Sequence, residues 1–207
     1  KKIIVFVTLL FCVIGYSQEG TSSPYSYYGL GEVRFRGTQS SRAMGGLGIQ
    51  GDSISLNLLN PASYSHLRLT TLAVGGTSTF TNLKNETETG KAKRTGLDYL
   101  AVGIPMGKFG ASFGVLPYSS VGYKLKNTTT ENNQPVENSF SGEGNINKVF
   151  LGLAYNVNKN FSFGFDFQYN FGSIQNESVK YRPGITLSAR ERNTSRLAGG
   201  SFNVGAL

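Results

Sequence analysis

A stretch of thirteen residues, 160–172, alternates strictly between aromatic and small or polar side chains. Its aromatic residues occupy every odd position and are Phe161, Phe163, Phe165, Phe167, Tyr169 and Phe171. Successive side chains of a β-strand point to opposite faces, so one face of this strand is aromatic and the other is small or polar. At ~3.3 Å per residue the strand is about 43 Å long, twice the usual length in soluble proteins. This favours a membrane-spanning strand whose aromatic residues face lipid, although a soluble sandwich with buried aromatics stays open.

The same alternation recurs along the second half of the chain. The strands predicted in this way are 67–83, 96–104, 109–125, 150–157, 160–172 and 195–207. The connections are short at 105–108 and 158–159, and long and polar at 84–95, 126–143 and 176–194. Short turns at one end of a sheet and long loops at the other are typical of outer-membrane proteins. Pro117 lacks the N–H of one ladder hydrogen bond, which predicts a bulge within its strand.

These patterns predict an all-β fold, an antiparallel up-and-down transmembrane β-barrel. Outer-membrane barrels have at least about eight strands, and about six are predicted here. We therefore expect residues 67–207 to be the N-terminal part of a longer barrel whose C-terminal strands are missing. The expected location is the outer membrane of a Gram-negative bacterium, with outer-membrane lipid as one partner.

The N-terminus carries the pattern of a secretory signal peptide over residues 1–17. Two lysines precede a stretch, 3–14, that is apolar except for Thr8, and small residues follow it. Basic, apolar and small-residue regions in this order predict export and cleavage. The only cysteine, Cys12, would leave with the signal, so the exported protein would have no disulfide. The net charge of +8 comes from scattered residues, and we expect no nucleic-acid partner.

Residues 18–66 do not alternate, and we expect them to form a separate segment that precedes the strands. Gly46, Gly48 and Gly51 satisfy the dinucleotide-binding pattern G-x-G-x-x-G. That pattern is meaningful only between a strand and a helix, with an acidic residue ~20 positions further on. Arg36–Ser40 does not read as a buried strand, so no cofactor is predicted. Asp52 is a candidate for a ligand path, or a turn residue.

Two blocks in this segment carry a family resemblance. The glycine-rich Arg42-Ala43-Met44-Gly45-Gly46-Leu47-Gly48, followed by Asp52 and by Asn60-Pro61-Ala62, resembles the N-terminal region of the long-chain fatty acid transporter family (FadL-like, outer membrane protein transport). Ser63–Tyr64 stands where that family usually has Gly-Leu. The resemblance implies a barrel of about 14 strands with an N-terminal plug or hatch. The implied plug and ligand-path residues are Gly45, Gly46, Gly48, Asp52, Asn60, Pro61 and Ala62.

The resemblance implies passive uptake of hydrophobic small molecules such as long-chain fatty acids through the outer membrane. A barrel that serves as a partner in protein secretion or assembly is an alternative, and so is a general porin. We predict no enzymatic activity and no catalytic or metal-binding residues. His66 is the single histidine, no cysteine follows Cys12, and the nucleophile pattern G-x-S-x-G does not occur.

Overall fold

A computed structural model describes residues 23–49, 51–84, 89–131, 134–158, 160–182 and 189–207. The predicted signal peptide, 1–17, lies outside the described residues. Within those residues, no helix is long and apolar enough to cross a membrane. The described part of the chain is dominated by one antiparallel β-sheet.

Short elements precede the sheet and long strands form it. The short elements are a 3-10 helix (Pro24–Tyr27), strand β1 (Glu32–Val33), helix α1 (Gln39–Ala43) and a second 3-10 helix (Pro61–His66). The long strands are β2 (Thr71–Lys84), β3 (Thr89–Met106), β4 (Phe109–Glu131), β5 (Gln134–Asn158), β6 (Phe161–Tyr181) and β7 (Ala189–Ala206). The six predicted strands thus correspond to β2–β7.

Each long strand pairs with the next one along the chain, in the order β2-β3-β4-β5-β6-β7, and β1 pairs with β4. This confirms the all-β, antiparallel, up-and-down arrangement. The sheet is open across the described residues, because β2 and β7 do not pair with each other. The register of β4 against β5 shifts between Pro117 and Ser119, as predicted from the proline.

The long polar connections are mostly strand, contrary to the prediction from sequence. Lys84 already pairs with Thr89, and Asn127 pairs with Asn138. The backbone hydrogen bonds of a hairpin do not require alternating side chains where both faces are polar. Alternation therefore predicted only the part of each strand that has one apolar face.

The two faces of the sheet differ in what covers them. The six aromatic residues of β6 lie on an outer face and are 38–49% exposed. Ser162 and Asp166 lie on the opposite, inner face and are 1% exposed. The inner face is covered by residues from the N-terminal segment, whereas a soluble sandwich would cover its aromatic face. The described residues leave the aromatic face uncovered.

Candidate functional site

The N-terminal segment, residues 23–66, packs on the inner face and is the candidate functional site. Its apolar residues and those of the strands share one buried cluster, made of Leu56, Leu58, Tyr64, Leu67, Tyr99, Ala101, Leu116, Phe150 and Ala154. At its start the segment lies against β4, where the Ser26 hydroxyl accepts a hydrogen bond from the Gly122 N–H at 3.1 Å. The segment is therefore packed along the sheet rather than attached at a single point.

Four inner-face glycines let the second 3-10 helix approach the sheet backbone. They come from four neighbouring strands and are Gly110, Gly152, Gly164 and Gly205. A Cβ at Gly164 would overlap the backbone of Pro61 and Ala62, and a Cβ at Gly110 would overlap that of Tyr64. Glycine in a strand interior marks such a close approach. The helix is thus held where β4, β5, β6 and β7 each lack a side chain.

Asn60, Pro61 and Ala62 begin this helix and join it to β7. The Asn60 side chain accepts a hydrogen bond from the Ala62 N–H at 3.0 Å and donates one to the Ala206 carbonyl at 2.9 Å. Pro61 takes the first helical position, where no N–H is needed. Pro61 and Ala62 are buried. The structure therefore places these three predicted residues at a helix cap against the sheet.

Tyr64 makes a buried polar contact between the segment and the sheet. Its ring is 1% exposed, and its hydroxyl donates to the Asp166 carboxylate of β6 at 3.4 Å. Burial raises the pKa of the Tyr64 phenol well above its ordinary value, and the charge of Asp166 raises it further. Tyr64 is therefore a neutral hydrogen-bond donor at physiological pH.

A second polar cluster forms around Asp98 of β3. This buried carboxylate lies 3.9 Å from the Arg34 guanidinium and 3.8 Å from that of Arg42. It also accepts hydrogen bonds from the Thr77 hydroxyl and, at 3.5 Å, from the Gln39 amide. A buried carboxylate requires such partners, and here they come largely from the N-terminal segment.

The remaining predicted plug residues lie in the turns between α1 and the second 3-10 helix. Gly45 and Gly46 have φ values of 73° and 86°, which favour glycine. The Gly48 carbonyl accepts a hydrogen bond from the Asn57 amide at 3.1 Å. Asp52 accepts one from the Ser53 N–H at 2.6 Å, and a hydrogen bond from Ser55 lowers its pKa. All four residues have local structural contacts, and their role in a ligand path stays a prediction.

On the outer face, the aromatic residues of β6 contact one another and β7. Phe165 and Phe167 lie 5.4 and 5.6 Å from the ring of Phe202, and Tyr169 lies 6.2 Å from Phe171. Leu151, Leu153 and Phe113 extend the same exposed apolar surface onto β5 and β4. Lipid contact at this face stays a prediction.

Tyr64, Asp98, Arg34 and the inner-face glycines were not predicted as site residues from the sequence. A usable signal existed for the glycines, because each falls on the small or polar side of an alternating strand. No comparable signal existed for the other residues, whose partners are far away in sequence. Among the described residues, no group of three His, Cys, Asp or Glu is placed to hold a metal ion.

A family model described as BamG covers residues 1–207, the whole chain. No curated protein and no solved structure matches the chain.

This match points to outer-membrane protein assembly. The assignment to the fatty acid transporter family is therefore wrong, as are the predicted uptake of hydrophobic small molecules and the porin alternative. The blocks that suggested transport are short, and turn and capping geometry accounts for them. The count of 14 strands depended on that assignment and loses its basis.

Proposed function

Since the chain belongs to the BamG family, we propose that it acts in outer-membrane protein assembly as a protein partner of the β-barrel assembly machinery. The family match over the whole chain carries this proposal. The chain is associated with the bacterial outer membrane. The alternative of an assembly partner, weighed from the sequence, thus replaces transport as the main hypothesis.

We further propose that the sheet is part of a membrane-spanning barrel with its outer face toward lipid. Phe161 and Phe171 are ten positions apart on β6, or about 33 Å along the strand. With a strand tilt of about 40°, this stretch rises about 25 Å, the height of the apolar band on outer-membrane barrels. The exposed aromatic face is thus about as tall as the bilayer interior requires.

The N-terminal segment would then lie in the lumen of the barrel as a plug. Two observations support this: the segment packs on the polar inner face, and four strands lack side chains where it sits. A wide barrel has a lumen that its own side chains do not fill. The Asp98 cluster and the Tyr64–Asp166 hydrogen bond would hold the plug in place.

Beyond the aromatic residues Phe161–Phe171, the strands continue as polar hairpins. One ion pair joins neighbouring hairpins there, with the Lys180 ammonium 2.5 Å from the Glu131 carboxylate. A second pair joins the two strands of one hairpin, with the Arg190 guanidinium 2.7 Å from the Glu177 carboxylate. Such pairs between exposed residues contribute little stability. They do keep a polar surface outside the lipid, and we propose this surface as the region available to a protein partner.

Affinity purification from native membranes tests the function. The full-length protein, tagged and extracted in mild detergent, should co-purify with subunits of the assembly machinery in a constant ratio. An unrelated outer-membrane barrel expressed at the same level is the control. Depletion of the protein should lower the amounts of other outer-membrane proteins. Purification without any subunit of the machinery, together with unchanged outer-membrane protein levels after depletion, would contradict the proposal.

A further inference from the structure

A cavity of about 470 Å³ lies between the N-terminal segment and the inner face. Leu30, Arg36, Leu58 and Leu59 line it from the segment. The sheet contributes residues of β4, β5, β6 and β7. Its volume falls within the range of small-molecule sites, ~300–1,000 Å³.

Two cations face this cavity, and none of the described residues that line it is acidic. Lys148 of β5 is 4% exposed, and its ammonium donates to the Gln168 side-chain oxygen, a neutral acceptor, at 2.8 Å. Arg36 lies close enough to Lys148 for the two charges to repel each other. Both cations also contact the ring of Tyr118, at 5.5 Å for Arg36 and 5.0 Å for Lys148. Two positive charges are thus held together over one ring.

The nearby acid does not balance these charges. Asp166 lies near enough to attract Lys148, but it accepts the hydrogen bond of Tyr64 outside the cavity lining. One carboxylate against two cations leaves an excess positive charge at the cavity. An anion there would relieve the repulsion and form charge-assisted hydrogen bonds.

Asn170 of β6 provides a hydrogen-bond acceptor at this cavity. It lines the cavity, and its side-chain oxygen is buried with no hydrogen-bond partner among the described residues. A buried acceptor of this kind favours a ligand that donates a hydrogen bond. Phe202 and the leucines of the lining offer apolar contact to the rest of such a molecule.

We propose that this cavity is a binding site for a small organic carboxylate that also carries a hydroxyl group. The carboxylate is held by Arg36 and Lys148, the hydroxyl reaches Asn170, and the apolar part lies against the leucines. The site retains a polar anion and does not serve as a passage for hydrophobic compounds. Binding can be measured without reference to the assembly role, so either proposal can fail alone.

Saturation-transfer NMR on the full-length protein in lipid nanodiscs tests this proposal, with para-hydroxybenzoate as the probe. The neutral para-hydroxybenzamide has the same shape and is the matched ligand control. We expect saturable binding of the carboxylate, and binding of the amide weaker by about tenfold or more, because a hydrogen bond to a charged group contributes ~1.5–3 kcal/mol.

Two variants distinguish a specific binding site from a general attraction of anions to positive charge. Arg36→Gln removes an exposed cation, which avoids a loss of folding, and should weaken carboxylate binding by about tenfold. Lys126→Gln removes a cation that is 75% exposed on β4, outside the cavity lining, and should leave binding unchanged. Equal binding of acid and amide, equal effects of the two variants, or no saturable binding to the folded protein would overturn the proposal.

Discussion

Replacing Gly164 with alanine should loosen the N-terminal segment from the inner face. The added Cβ would overlap the Pro61 carbonyl group and the Ala62 nitrogen. These are backbone atoms, so no side chain can rotate away to make room. The second 3-10 helix therefore has to move from the sheet, which also weakens the nearby contact between Tyr64 and Asp166.

The expected size of the effect follows from the cost of overpacking. Forcing an extra methyl group into a close-packed contact costs ~1–3 kcal/mol. The sheet stays formed when the segment detaches, so alanine's effect on the unfolded chain does not offset this cost. A central value of about 2 kcal/mol corresponds to about a 30-fold larger detached population.

Limited trypsin digestion of the full-length protein in detergent measures that population. The segment contains Arg36 and Arg42. Their side chains are exposed, but trypsin binds an extended stretch of backbone, so cleavage there requires local detachment. When detachment and reattachment are fast compared with cleavage, the rate follows the detached fraction. Gly164→Ala should therefore be cut about 30-fold faster than the original protein.

Gly199→Ala is the matched control. Gly199 lies on β7, and a Cβ there meets nothing within 4 Å, so cleavage should stay unchanged. Gly205 is on the same strand, and a Cβ there would overlap the Asn60 side chain, which can rotate away, so Gly205→Ala should raise the cleavage rate less than Gly164→Ala does. Equal cleavage of Gly164→Ala and Gly199→Ala would refute the assignment of the inner-face glycines.

Three further predictions concern the outer face, the Asp98 cluster and Tyr64. Phe165→Arg should lower the unfolding free energy in lipid vesicles by ~2–4 kcal/mol, measured by urea titration, and Phe165→Leu should change it far less. Asp98→Asn should speed trypsin cleavage of the segment about tenfold or more, because a buried hydrogen bond to a charged group contributes ~1.5–3 kcal/mol. Because the pKa of Tyr64 is raised in the folded protein, attachment should be fully stable below about pH 10 and weaken as the pH rises above it. Tyr64→Phe should reduce this alkaline increase in cleavage, and an unchanged pH profile would refute it.

The sequence predicted the sheet well where one face of a strand is apolar. Phe161–Phe171 gave both the strand and the division of its two faces, because strict period-2 alternation matches a strand and conflicts with the 3.6-residue period of a helix. The extensions of β4 to Glu131 and of β5 from Gln134 were missed. Both faces are polar there, so the side chains carry no periodic signal although the backbone pairs.

The candidate site was only partly predictable. Asn60 and Pro61 are a local signal, since a cap and the first helical position are set by neighbouring residues. Asp98 and Arg34 are 64 positions apart, and their contact depends on how the segment lies on the sheet. The transport hypothesis failed for a related reason: short blocks of three to seven residues report local geometry and do not specify a function.

The hydrogen bond between Asn60 and Ala206 also sets an order of events during folding. Each long strand pairs with its sequence neighbour, so the sheet grows one hairpin at a time through local contacts. Asn60 donates to the carbonyl of Ala206, at the end of β7, which is synthesised after β2–β6. The N-terminal segment is synthesised before these strands and therefore waits for β7 before it docks completely. During that interval its apolar residues Leu56, Leu58 and Tyr64 are without their final partners, and a chaperone would have to protect this stretch.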